Sequence, residues 1–137
     1  MGWVSGGEVE EHLRSIYDAV MKADIETWLS NLEDPPGQWL LGMDVGDIRE
    51  TSEGFKDLCF GEGATRLERQ EAEELSIKVA AISPNVAFAL CTAENRRWIF
   101  EDGHIDRGHT AETWVFVRTD NGWKLHSGQS AIFPIEG

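Results

Sequence analysis

Val9, Leu13, Ile16, Val20 and Met21 recur at helical spacing with charged residues opposite them, which predicts an amphipathic helix. Ser5 followed by Glu8 predicts a capping box at its start, the serine accepting a backbone N–H and the glutamate reaching back. Asp24 reads as the N-cap of a second, shorter helix carrying Ile25, Trp28, Leu29 and Leu32, which Pro35 and Pro36 stop. Residues 38–43 form a short apolar extended segment and residues 44–50 a polar loop. Ser52 is placed to cap a third helix, with Phe55, Leu58 and Cys59 inward and Gly61 or Gly63 near its end. The charged stretch 62–74 fits either the tail of that helix or the outer part of a strand.

From Leu75 the period changes to two: Leu75, Ile77, Val79 and Ala81 alternate with Ser76, Lys78 and Ala80. Ser83-Pro84-Asn85 is a turn, 86–100 a long second strand, and Glu101-Asp102-Gly103 a connection. A third strand follows over 109–118, then the tight turn Asp120-Asn121-Gly122 and a final strand over 123–132. Helices followed by a meander predict an α+β domain. By alternation, Trp114 and Phe116 oppose Val115 and Val117, while Phe88, Leu90 and Trp98 oppose Ala89, Cys91 and Ile99. A sheet apolar on both faces must cover both. Helices cover one, and a second copy of the chain, in a symmetric homodimer, is the expected cover for the other.

A chain of 137 residues fits one core: a lead-in over 1–7 and a single domain over 8–133. Twenty-five acidic against twelve basic residues give a net charge of −13, which repels phosphate backbones and anionic lipid and argues against nucleic-acid and membrane partners. Cys59 and Cys91 are far apart among apolar neighbours and read as buried thiols, which suits a reducing compartment. No apolar run reaches membrane length and no signal peptide is evident, so the cytoplasm is expected.

Tyr17-Asp18-Ala19 with Lys22-Ala23-Asp24, Ser83-Pro84-Asn85-Val86-Ala87-Phe88, and Gly122-Trp123-Lys124-Leu125-His126-Ser127 with Ser130 resemble the SnoaL-like branch of the NTF2-like fold, the relatives of polyketide cyclases and ketosteroid isomerases. The resemblance covers roughly residues 8–133. It implies a cone, with N-terminal helices packed on a strongly curved antiparallel sheet, dimerisation through the sheet, and a deep cavity between sheet and helices. It implies a hydrophobic small molecule as ligand and no cofactor. Members of the family isomerise or cyclise ketones, hydrate substrates, or only bind ligands and mediate assembly. Aligned on Asp24, the family's oxyanion-stabilising Tyr falls on Ile16, beside Tyr17. Its general-base Asp falls within about one residue of Asp44, and the His pair of many last strands falls on His126 and Gly128.

Asp44, after Trp39-Leu40-Leu41-Gly42-Met43, is a candidate base at the rim of an apolar cavity, or else a solvated loop carboxylate. Glu94, Arg96 and Trp98 alternate on one strand and Glu112 and Trp114 on the next. If the two faces coincide, two candidate proton-transferring carboxylates meet a guanidinium able to stabilise an enolate; cross-strand ion pairing explains the same residues. Tyr17, Trp28, Trp39, Arg96, Trp98 and Trp114 are the candidate ligand-binding residues. His126, opposite Leu125 in parity, points toward the outer face as an interface or core histidine. His104, Asp106 and His109 match no zinc signature and read as a polar turn, so no metal is expected, and His12 reads as solvated. The functions in view are a cavity-bearing small-molecule-binding protein acting as a cofactor-independent isomerase, cyclase or hydratase on a carbonyl compound, or a non-catalytic dimeric ligand-binding or assembly module.

Overall fold

The computed structural model describes residues 7–33, 39–41, 48–49, 56, 59–61 and 63–135, with backbone alone for 39–41 and 48–49. Helix α1 (Glu8–Met21) buries Val9, Leu13 and Ile16 of the predicted stripe, together with Tyr17 and Ala19. Its N-cap is Gly7, which makes no side-chain cap; the predicted capping residue Ser5 lies outside the described residues. Helix α2 (Ile25–Ser30) is capped by Asp24, whose carboxylate accepts from the Thr27 N–H, and it buries Trp28. Of the predicted third helix, Lys56, Cys59 and Phe60 have helical backbone, and Phe60 is buried edge-on to Trp28.

Among the described residues seven strands form one sheet: β1 (Trp39–Leu41), β2 (Ile48–Arg49), β3 (Leu67–Glu71), β4 (Glu74–Ser83), β5 (Val86–Phe100), β6 (Ile105–Thr119) and β7 (Gly122–Pro134). The order is β2-β1-β7-β6-β5-β3, with β4 also pairing β5. The charged stretch before Leu75 resolves as a 3₁₀ turn (Gly63–Thr65) and β3. Because β5 is long, β4 pairs with residues 86–94 of it and β3 with residues 97–100.

This corrects the expectation of a strongly curved, all-antiparallel cone. Among the described residues the sheet is open, its two ends do not pair, and β1 runs parallel to β7, with Trp39 opposite Gly128. The α+β class holds: helices pack on one face of a mainly antiparallel sheet. On that face Ala87, Ala89, Cys91 and Ala93 of β5 lie beside Phe116, Trp114, Glu112 and Thr110 of β6. Small side chains on one strand leave room for the large ones on its neighbour and for α1 above them.

Parity along β5 breaks at Asn95. Its φ of +48° is left-handed, and the register with β6 shifts between Ala93 and Arg96. Trp98 therefore joins the face of Ala89 and Cys91 rather than that of Phe88 and Leu90. A second shift, between Val115 and Phe116 of β6, leaves His126 of β7 unpaired in the ladder and restores Gly128, Ser130 and Ile132 to the helix side. His126 bonds the Glu33 carboxylate through Nδ1, within the chain. His12 is not solvated: it is half-buried, its ring 6.0 Å from that of Phe116, and burial, with Lys124 nearby, lowers its pKa.

Candidate functional site

Five polar side chains are buried among the described residues: Gln70, Arg96, Thr110, Glu112 and Ser130. All five converge. Arg96 sits one residue past the Asn95 bulge, which turns its guanidinium inward. Its Nε donates to Gln70 Oε1 at 2.6 Å, and its Nη1 donates to Glu112 Oε1 at 2.6 Å and to Thr110 Oγ1 at 3.1 Å. The guanidinium also lies 5.2 Å from the Trp98 ring centroid and 5.9 Å from that of Tyr17. Ser130 stands across from Glu112 in the β6–β7 ladder.

Helix α1 supplies the other side. The Tyr17 hydroxyl donates to Glu112 Oε1 at 2.8 Å, and Trp114 Nε1 donates to the Tyr17 oxygen at 3.1 Å. An indole N–H can only donate, so the tyrosine must aim its own proton at the carboxylate. Burial first, then the Glu112 charge, holds the Tyr17 hydroxyl well above its ordinary pKa, so it stays a donor. Burial opposes the charge on Arg96, yet its acidic neighbours, Glu112 foremost, together outweigh it and raise the guanidinium's pKa. Burial pushes the Cys91 thiol up to about 12 and moves Cys59 in the same direction, so neither is a ready nucleophile.

Tyr17, Gln70, Arg96, Glu112 and Ser130 line a cavity of about 680 Å³, walled by Leu13, Ile16, Trp28, Trp98, Phe100 and Trp114. Two polar atoms of the ion pair remain open. No described residue bonds Arg96 Nη2 or Glu112 Oε2. Nor are they sealed away: the buried side-chain atoms without partners among the described residues are His12 Nε2 and Trp123 Nε1. Gly128 makes the arrangement sterically possible, since a Cβ there would stand 2.0 Å from Trp114 Cε3 and 2.3 Å from Cζ3. The indole fills the space that a side chain at 128 would need.

Of the residues singled out from sequence, Tyr17, Trp28, Arg96, Trp98, Glu112 and Trp114 line this cavity. Glu94 does not: it lies before the bulge, exposed, opposite Glu74 of β4. Asp44 is outside the described residues, and Trp39 is described by backbone alone. Gln70 and Thr110 escaped notice, and Ser130 was named for the family resemblance alone, not as a site residue. Thr110 shares the alternation of Glu112 and Trp114 and was legible on that ground, whereas Gln70 sat in the ambiguous charged stretch. His104 bonds Asp102, and no group of three ligating side chains able to hold a metal occurs among the described residues.

The sequence profile of the SnoaL-like domain matches residues 9–136. The chain belongs to the SnoaL-like family. No curated protein matches it. A protein from Streptomyces avermitilis, proposed to be a dehydratase of the NTF2-like family, is similar in structure, with a TM-score of 0.71 at 18% identity over 95% of this chain and 96% of that one. A type 2 hexachlorocyclohexane dehydrochlorinase gives 0.70 at 14% identity, over 94% and 90%. The association domain of a C. elegans calcium/calmodulin-dependent kinase gives 0.61 at 13%, over 90% and 92%. At these identities the likeness is one of fold, and the chemistry of this SnoaL-like chain has to be read from its own cavity. Among the described residues, no helix is long and apolar enough to cross a membrane.

Proposed function

We propose that this chain binds a hydrophobic carbonyl compound in the cavity and moves a proton on it without a cofactor, as an isomerase, cyclase or hydratase does. The observation that carries this reading is that Arg96 Nη2 and Glu112 Oε2, the two atoms of the ion pair that no described residue bonds, belong to residues lining the cavity. A carbonyl oxygen accepts from Nη2. Glu112 Oε2 takes the proton from the adjacent carbon, the C–H electron pair moves into the enolate, and the oxygen's charge develops against the guanidinium. The proton then returns to another carbon, or to a departing hydroxyl. Tyr17 and Arg96 hold Oε1, so the proton is exchanged through Oε2.

Hydrogen–deuterium exchange at the α-carbon of a panel of aryl ketones, followed by NMR in heavy water, tests this. Wild-type protein is expected to accelerate exchange and Glu112→Gln to lose at least about a hundredfold of that acceleration. Asp44→Asn is the comparison: loss of exchange there, with Glu112→Gln unaffected, would transfer the base to Asp44.

A second reading is a binding or assembly module without turnover. It is supported by the ion pair itself, whose two members already satisfy much of each other's charge. A co-purifying ligand returned chemically unchanged, with no exchange on any ketone, would favour it. Leu90, Val115 and Val117 are half-buried on the outer sheet face, which supports a homodimer through that face. Sedimentation showing only monomer would remove the dimer.

A further inference from the structure

The open atoms of the ion pair specify the ligand's polar head more narrowly than a carbonyl. This step rests on the cavity reading above. Arg96 Nη2 can only donate, and the carboxylate oxygen Glu112 Oε2 can only accept. A head that satisfies both must present one acceptor and one donor, close together because the two groups already meet through Nη1 and Oε1 at 2.6 Å. The charge count adds a second restriction. The buried polar cluster holds one guanidinium and one carboxylate, 2.6 Å apart, and its other members, Gln70, Thr110, Ser130 and Tyr17, are neutral. Their charges cancel. An anionic head would gain Arg96 and meet Glu112 in the same contact, and a cationic head would do the reverse. Asp106 and Arg107, exposed members of the lining, add one charge of each sign and leave the balance at zero. Either ion would therefore add one uncompensated charge beside the buried pair, which is costly.

We propose that the cavity selects a neutral hydroxy-carbonyl head, an α-hydroxyketone or the enol of a 1,3-dicarbonyl. Its carbonyl oxygen accepts from Arg96 Nη2 and its hydroxyl donates to Glu112 Oε2. The rest of such a ligand is apolar. Trp28, Trp98 and Trp114 wall the interior, and Ile105 and Ile132, half or more than a third exposed, stand among the lining residues with Pro134. The Tyr17 hydroxyl and Gln70 take no part in this contact, since Glu112 Oε1 and Arg96 Nε already engage them.

The test is equilibrium binding, read by quenching of tryptophan fluorescence and by calorimetry, with four heads on one naphthalene scaffold. The heads are a hydroxyacetyl group, an acetyl group, a carboxylate and a methylammonium. The hydroxyketone is expected to bind tightest, about tenfold above the acetyl compound, which leaves Glu112 Oε2 unpaired, and further above both ions. In Glu112→Gln the order is expected to change: the carboxylate gains affinity, because Arg96 is no longer balanced. Carboxylate or ammonium binding as tightly as the hydroxyketone in the wild-type protein would overturn the proposal. That series needs no variant, so it holds even if Glu112→Gln fails to fold. Binding by none of the four would overturn the proposal together with the cavity reading. Selective binding of the hydroxyketone without any proton exchange would remove the catalytic part of the proposed function and leave this inference standing.

Discussion

Glu112 joins stability to chemistry. It is the acceptor for Tyr17 and Arg96, and removing its charge strands a guanidinium in the interior. Glu112→Gln is therefore expected to lower the unfolding free energy by about 3 kcal/mol, measured by urea denaturation, besides its effect on exchange. Gly128 is the other critical residue. Adding one methyl group as Gly128→Ala forces the Trp114 indole to move, because the new atom would overlap the ring. A loss of about 2 kcal/mol and a shifted tryptophan emission are expected. An alanine tolerated without either change would show that the indole has other room. Tyr17 was singled out from the sequence as a ligand-binding candidate, but its bond to Glu112 was not legible. Ninety-five residues separate the two, and no local pattern encodes which α1 side chain meets which strand.

The elements were mostly legible because each follows from spacing over a few residues. The stripe of α1, the Asp24 cap and the alternation of β4 to β7 all appear in the structure, with strand ends shifted by a few positions. What alternation missed was the bulge. Asn95 places a left-handed residue in the middle of β5, so Glu94 faces out and Arg96 faces in, although the two are equivalent by period. Its amide nitrogen donates to Glu73 Oε2 and its backbone N–H to His109 Nδ1, contacts between strands that help hold the kink. Asn95→Val should be destabilising by about 1–2 kcal/mol, since a β-branched residue resists positive φ. It should also weaken ligand binding by unseating Arg96, whereas Asn95→Gly should keep both. Equal behaviour of the two variants in denaturation and binding would mean that the bulge does not set the direction of Arg96.

At the scale of the molecule, the interior confines its charge to the Arg96–Glu112 pair and keeps its thiols and the Tyr17 hydroxyl protonated. Cys91 is moved by burial from an ordinary 9.0 up to about 12, and Cys59 and Tyr17 are moved upward as well. The unfolded chain releases these protons at ordinary pKa values while the folded chain retains them. Stability from these groups is thus complete below about pH 9 and is lost as the pH rises toward about 12, by roughly 1 kcal/mol per pH unit for each thiol. Urea midpoints that stay level across this range would show that the thiols are not held in the interior. The sequence by itself determined the α+β class, most elements, the family and the apolar stock of the cavity wall, because these depend on periodicity and side-chain type. The open sheet, the parallel β1–β7 pairing and the meeting of Tyr17, Arg96, Glu112 and Trp114 were decided only in three dimensions. They depend on two register shifts, on one glycine beneath an indole and on contacts across the chain, and a side chain's inward direction follows the local ladder rather than its own identity.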